Sequence, residues 1–171
     1  HSQTLETVFA HIPGLLVAYP STAYDAKGLL KTAVRDNNPV MFIESQLLYA
    51  SKDEVPKEEY LIPFGEAIIR KPGKDLTIVS WGPAVKDAIK AASILESEAD
   101  VEVIDLRTLV PLDINTVLDS VRKTGGCVVA SQCISIGSFT GEIASQINET
   151  AFDYLDAPVI RVGAKDGIAP Q

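Results

Sequence analysis

Long apolar runs are missing from this sequence. None approaches the roughly 20 residues that cross a bilayer, and no basic stretch followed by an apolar one opens the chain, so neither a membrane span nor a signal peptide is expected. Cations are scarce as well. Fifteen Lys and Arg stand against 23 Asp and Glu, a formal net charge of −8 over 171 residues. Binding to nucleic acid or anionic lipid rests on clustered cations, so neither partner is expected. The two cysteines, Cys127 and Cys133, do not form a Cys-x-x-Cys pair and read as reduced thiols in or beside a buried strand. Histidine occurs twice, at His1 and His11, with no metal-like spacing and no nucleophilic serine in a strained turn nearby. By spacing alone these are a terminal residue and a helix-end residue able to bond free carbonyls. There is no repeat of fixed period, no low-complexity segment and no pair of carboxylates set out for acid–base work. A cytoplasmic or matrix-like compartment follows as the default.

What is present is an ordinary globular composition, 46% apolar and 22% charged, enough for one core or one core plus a fragment of a second. The chain opens at His1-Ser2-Gln3 without an initiator Met and stops at Ile168-Ala169-Pro170-Gln171, just after a turn. It therefore reads as a piece of a larger enzyme subunit. Leu5, Val8, Phe9 and Ile12 recur at helical spacing, and Pro13-Gly14 ends that helix before an apolar strand over 15–19. Ser21 or Thr22 offers a hydroxyl cap with Asp25 behind it, and Ala26, Leu29, Leu30 and Ala33 mark a buried helical face. A strand over 40–43 completes a strand–helix–strand unit of the kind that forms right-handed parallel crossovers.

From Ser51 to Tyr60 charge and proline take over, which predicts an exposed connection over 51–65. Beyond it, strands over 76–81, 101–106, 127–130 and 158–162 alternate with helical stripes. These run through Val85 to Leu95, through Ile114 to Val121 behind an Asp113 cap and before Gly125, and through Ile143 to Ala151. Such alternation predicts an α/β fold of three layers around a mainly parallel sheet.

Three places invite chemistry. The loop from Ile134 to Gly141 lies between a strand and a helix N-terminus, where backbone N–H groups can bind an anion. It matches neither Gly-x-Gly-x-x-Gly nor a P-loop, and a tight turn explains its glycines. Asp105 and Arg107 stand at the carboxyl end of a strand, where ligands gather, yet a local ion pair fixing the loop is the favoured reading. Asp36-Asn37-Asn38-Pro39 is a turn after a helix, although helix-end carbonyls with Asp and Asn oxygens also suit a hard cation.

A resemblance ties these segments together. His1-Ser2-Gln3, Ala10-His11-Ile12-Pro13-Gly14-Leu15, Pro20-Ser21-Thr22 through Asp25-Ala26-Lys27-Gly28-Leu29, Arg35-Asp36-Asn37-Asn38-Pro39-Val40, Val103-Ile104-Asp105-Leu106-Arg107-Thr108 and Pro111-Leu112-Asp113 resemble one family. Gly141-Glu142-Ile143-Ala144 and the run from Ala151 to Pro158 add to the match. The family is the beta subunit of the decarboxylating component of 2-oxo acid dehydrogenase complexes, of pyruvate, branched-chain or acetoin type, among the transketolase-like thiamine diphosphate enzymes. The resemblance implies that residues 1–50 are the second half of a pyrimidine-binding domain and 66–171 a transketolase C-terminal domain. His1 matches the family's active-site histidine, facing substrate, where an imidazole supplies hydrogen bonding and proton transfer. Ala33, Val34, Asp36 and Asn38 match positions that hold a structural potassium ion in related subunits. The chain departs from the family at Ser131-Gln132-Cys133 and at Asp166-Gly167-Ile168-Ala169-Pro170.

The function so implied is oxidative decarboxylation of pyruvate or a branched-chain 2-oxo acid, with acyl transfer to lipoamide. Thiamine diphosphate and magnesium act in the intact enzyme and are not expected on this piece, which should be inactive alone. Implied partners are an alpha subunit or alpha-type domain, a lipoyl acyltransferase core, and further copies of the chain in a homo-oligomer. Two other readings stay open: a non-catalytic interaction module, and a nucleotide-binding doubly wound domain using the 134–141 loop.

Overall fold

The structure, a computed structural model, describes residues 4–167. The first unit comprises helix α1 (Glu6–Ala10), strand β1 (Leu16–Ala18), helix α2 (Ala23–Arg35) and strand β2 (Val40–Phe42). β1 and β2 pair in parallel, Leu16 opposite Val40. α2 starts where Thr22 accepts the Asp25 N–H at 3.1 Å, which satisfies one of the helix's free donors. Two expected faces turn out differently. At α1 Phe9 packs against the core as expected, but Val8 and the flanking Leu5 and Ile12 are exposed while Glu6 is buried, and on α2 Leu29 is buried with Asp25 and Gly28 while Leu30 faces out. The sheet under these helices presents polar partners that reward a carboxylate there, and tertiary pairing outweighs the apolar stripe.

The second unit comprises β3 (Ile68–Lys71), β4 (Leu76–Ser80), α3 (Ala84–Ile94), β5 (Val101–Asp105), β6 (Thr108–Val110), α4 (Ile114–Thr124), β7 (Cys127–Ile134), α5 (Phe139–Ala151) and β8 (Ile160–Ala164). Five of the strands form one sheet in the order β3-β5-β4-β7-β8. Its β5-β4-β7-β8 part is parallel and β3 is an antiparallel edge. α3 packs on one face of this sheet against Ile78, Val101 and Val103. α4 and α5 cover the other with Val117, Val121, Ile143 and Ile147, giving the three layers. α4 is held as its sequence suggests: Asp113 accepts the Thr116 N–H at 3.2 Å, and Gly125 closes the helix at φ 72°.

Five features correct the sequence reading. β3 is a strand that the sequence did not reveal. β7 runs on to Ile134, and β8 begins at Ile160 rather than at Pro158, whose missing N–H cannot join a ladder. The segment over 51–65 is largely exposed, as its composition indicates, but Ile62 is buried and the segment is tied along α2. Asp53 accepts the Ala23 N–H at 2.7 Å, Tyr60 stacks on Tyr24 at 4.4 Å, and Thr32 donates to the Ile62 carbonyl at 2.7 Å. Finally, β6 leaves the second unit and pairs antiparallel with β1, making a three-stranded sheet β2-β1-β6. The chain changes sheets at Arg107, the one non-glycine residue with positive φ, 61°, among those described. One apolar cluster consequently draws Val17 and Tyr19 together with Val79, Trp81, Leu106 and Leu109.

Candidate functional site

The two units meet at a buried cluster of charge. Asp25 enters from the first turn of α2, its outer oxygen also accepting from Thr22 Oγ1 at 2.5 Å. Asp105 ends β5, Arg70 comes from β3 and Arg107 from the sheet-switching turn. Both carboxylates are fully buried. Arg70 donates to Asp105 Oδ2 through Nε at 3.0 Å and Nη2 at 2.8 Å, and its Nη2 also reaches Asp25. Ser21 donates to Asp105 Oδ2 at 2.5 Å, and the Arg107 N–H reaches Asp105 Oδ1 at 3.1 Å. Arg107 Nη2 lies 2.8 Å from Asp25 Oδ1. That contact is an ion pair rather than an aligned hydrogen bond, since Asp25 Oδ1 and Arg107 Nε have no hydrogen-bond partner.

The expected local pair between Asp105 and Arg107 is therefore replaced by a four-residue network. A bend at positive φ turns the Arg107 side chain away from its near neighbour and toward α2. Burial pushes the Asp105 carboxyl above its ordinary range, while Arg70 and Ser21 pull against it. Two acids and two guanidiniums balance, which leaves no free acid or base. The cluster is a joint between α2 and both sheets.

The 134–141 loop is likewise committed. Ser138 caps α5 by accepting the Thr140 N–H at 3.2 Å, and the Phe139 N–H goes to Thr7 Oγ1 at 3.1 Å. The donors that would hold an anion thus have partners within the chain, and Glu142 adds negative charge in the first turn. Beside this loop an open groove of about 730 Å³ runs between α1 and α5, with Thr7, His11, Leu109, Ser138, Glu142 and Arg161 on its walls.

His1 lies outside the described residues. Ala33, Val34, Asp36 and Asn38 are brought together at the end of α2. There the Asp36 N–H bonds to the Thr32 and Ala33 carbonyls, and Asp36 Oδ1 accepts from Asn38 N at 2.8 Å and Nδ2 at 2.9 Å. This is the expected turn, and it gathers carbonyl and carboxylate oxygens on an exposed corner where Val34 is 76% exposed. Among the described residues, no group of three or more His, Cys, Asp or Glu side chains is placed to hold a metal ion. Nor is any helix among them long and apolar enough to cross a membrane. Both cysteines are free and buried, and burial pushes the Cys127 thiol up to about 12.

Sequence reasoning missed Arg70 and Glu6. Arg70 sits in a four-residue strand, and its partners lie 35 and 45 residues away in sequence. Glu6 reads as one polar position in a short helix.

A five-stranded mixed sheet with one helix on one face and two on the other, joined to a small β-α-β unit through a sheet-switching strand, defines a transketolase-like α/β class. Comparison with known proteins agrees. The transketolase C-terminal domain matches residues 65–171, and the transketolase pyrimidine binding domain matches residues 1–52. The chain belongs to the transketolase family. It is 49% identical over 168 residues to the pyruvate dehydrogenase E1 component subunit beta of Rhizobium meliloti (strain 1021), covering 97% of this chain and 36% of that protein. Against the protein of the same name from Bacillus subtilis (strain 168) it is 45% identical, covering 99% of this chain and 53% of the relative. The acetoin:2,6-dichlorophenolindophenol oxidoreductase subunit beta of Cupriavidus necator is 48% identical over 93% of the chain and 47% of its own length. A solved split gene transketolase, an inactive beta4 tetramer, superposes with a TM-score of 0.78 at 27% identity, covering 94% of this chain and 52% of its own. The chain thus spans about half the length of most of these relatives.

Proposed function

We propose that these residues are the C-terminal part of a beta subunit that takes part in thiamine diphosphate-dependent oxidative decarboxylation of a 2-oxo acid, with acyl transfer to lipoamide. The identity of 45–49% over nearly the whole chain to pyruvate dehydrogenase beta subunits carries this reading. In it, residues 1–50 belong to the pyrimidine-binding domain, 51–65 link, and 66–171 form the C-terminal domain, which serves assembly with copies of itself, an alpha subunit and an acyltransferase core. The compartment is cytoplasmic, or matrix-like.

The described residues do not fit a magnesium diphosphate group. They place no carboxylate set for the metal, and at the N-terminus of α5 the Phe139 and Thr140 N–H groups already have partners within the chain. His1 is the catalytic residue of this reading: its imidazole would donate a hydrogen bond to a developing alkoxide and exchange a proton there. The corner formed by Ala33, Val34, Asp36 and Asn38 suits a potassium ion, since carbonyl oxygens and one carboxylate are what a hard monovalent cation takes.

The test is a chimera in which these 171 residues replace the matching part of the Bacillus subtilis subunit, purified with the alpha subunit of that enzyme. Thiamine-dependent turnover of pyruvate or a branched-chain 2-oxo acid supports the reading. A folded, assembled chimera without turnover of either rejects it.

A further inference from the structure

Helix α1 is only five residues long, too short to hold its own place, and its N-terminus has no side-chain cap. Of its apolar residues, Phe9 and Ala10 pack on the core cluster while Val8 faces solvent. Such packing is non-directional, so it sets the helix's rotation only loosely. Three polar contacts tie the same stretch to the second unit. Trp81, in the turn between β4 and α3, donates its indole N–H to Glu6 Oε1 at 3.2 Å. Cys133 on β7 donates its thiol to the Thr4 carbonyl at 3.5 Å, and the Phe139 N–H at the head of α5 goes to Thr7 Oγ1 at 3.1 Å. Trp81 is itself fixed, being 2% exposed and met edge to face by Phe139 at 6.2 Å. Glu6 is 1% exposed. A buried carboxylate carries a desolvation cost that an apolar side chain would avoid, and what it adds here is direction.

The tie lies beside His1 in the chain. Thr4 follows His1 by three residues, so connectivity alone keeps their Cα atoms within about 11 Å. We propose, on the catalytic role given to His1 above, that Trp81 and Glu6 are positioning residues for it. The indole–carboxylate bond, with the Thr4 and Thr7 contacts beside it, lets the second unit fix the point from which the chain presents His1 to the substrate. A helix has a Cα radius of about 2.3 Å, so a roll of about 30° shifts its backbone by about 1.2 Å. A misplacement of about 1 Å at a reacting group costs on the order of 100-fold in rate. The indole donates to an ionised carboxylate and to a neutral acid alike, so the tie stands in either protonation state of Glu6. The second unit thereby acts on the chemistry as well as on assembly.

A double-mutant cycle in the chimera described above, purified with its alpha subunit, tests this. Trp81→Phe keeps an aromatic ring against Phe139 and removes the donor. Glu6→Met removes the acceptor, and Glu6→Gln keeps one. Per assembled enzyme, Trp81→Phe and Glu6→Met should lower kcat at least ~10-fold while KM for the 2-oxo acid stays within about twofold, and Glu6→Gln should recover most of the loss. In the His1→Ala background Trp81→Phe should lower turnover no further, because a residue that acts through His1 has nothing left to position. A lowered melting temperature with kcat untouched marks a structural role only and overturns the proposal. An equal loss from Trp81→Phe with His1 present or replaced also overturns it. If His1→Ala itself costs nothing, the catalytic reading of His1 falls and the positioning with it. Loss in His1→Ala without loss in Trp81→Phe rejects the positioning alone. Should Trp81→Phe fail to assemble, Glu6→Met in both backgrounds, with Glu6→Gln as its rescue, decides in the same way.

Discussion

Arg70 donates twice to one oxygen of Asp105, through Nε at 3.0 Å and Nη2 at 2.8 Å, and the same Nη2 reaches Asp25 on α2. One guanidinium thereby holds two fully buried carboxylates, one on a helix of the first unit and one on a strand of the second. Replacing Arg70 with Met leaves them with Arg107 alone, and a stripped buried charge costs about 3–5 kcal/mol. Arg70→Lys should recover part of this, since an ammonium keeps the charge but loses the fork. Urea unfolding measures both, and equal stability for the two variants would contradict the bidentate role.

Glu102 anchors a second buried network of opposite pH sense. Ser120 donates to it at 2.5 Å, Lys123 at 2.6 Å and the Gly73 N–H at 3.3 Å. Burial alone would push the carboxyl up, but Lys123, Ser120 and Gly73 outweigh it and hold the group below its ordinary range. A depressed folded value adds stability that is present above the unfolded value of about 4.3 and lost as pH falls through the folded one. Glu102→Gln should therefore cost about 1–3 kcal/mol at pH 7. The gap to wild type should narrow as the pH drops below 4, followed by urea midpoints across that range.

Gly73 tests how closely the β3–β4 turn approaches β5. A Cβ there would overlap the backbone of Val101 and Glu102, with the Asp100 carbonyl at 2.7 Å, and backbone cannot swing aside as a side chain can. Gly73→Ala should cost at least ~3 kcal/mol. Gly137, whose Cβ would meet open space at φ 64°, should cost only about 1–2 kcal/mol on the same change. Thermal unfolding of the two variants checks the order.

Cys127 should be silent in the folded chain. With its thiol held up to about 12 by burial, almost none is thiolate at pH 8, and the thiolate is the reactive form. A disulfide reagent at pH 8 should label it only at the rate of unfolding and readily in denaturant. Fast labelling of folded protein would contradict the buried assignment.

Local chemistry was legible in the sequence, and pairing between distant segments was not. Asp113 and Gly125 mark both ends of α4 because capping and a left-handed residue act within one turn. Ile143, Ala144, Ile147 and Ala151 give α5 its buried face, since helical spacing and burial coincide there. β6 has only three residues, ends before the cis Val110-Pro111 bond, and exists because β1 is available to pair with it. The α1 stripe misled because Leu5, Val8 and Ile12 face outward while Trp81, 75 residues away, draws Glu6 inward. At the candidate site, Asp36 and Asn38 were readable as a turn. The Asp25–Arg70–Asp105–Arg107 joint needed both sheets in place before its members could be seen as neighbours.

The central claim is best tested by turnover of the Bacillus subtilis chimera with and without His1→Ala, supplied with thiamine diphosphate, magnesium and pyruvate. The expected result is thiamine-dependent decarboxylation that falls at least ~100-fold in His1→Ala while assembly and thermal stability hold, the scale of a lost acid–base group. Turnover that is unchanged in the variant, or absent from an assembled chimera, would contradict it.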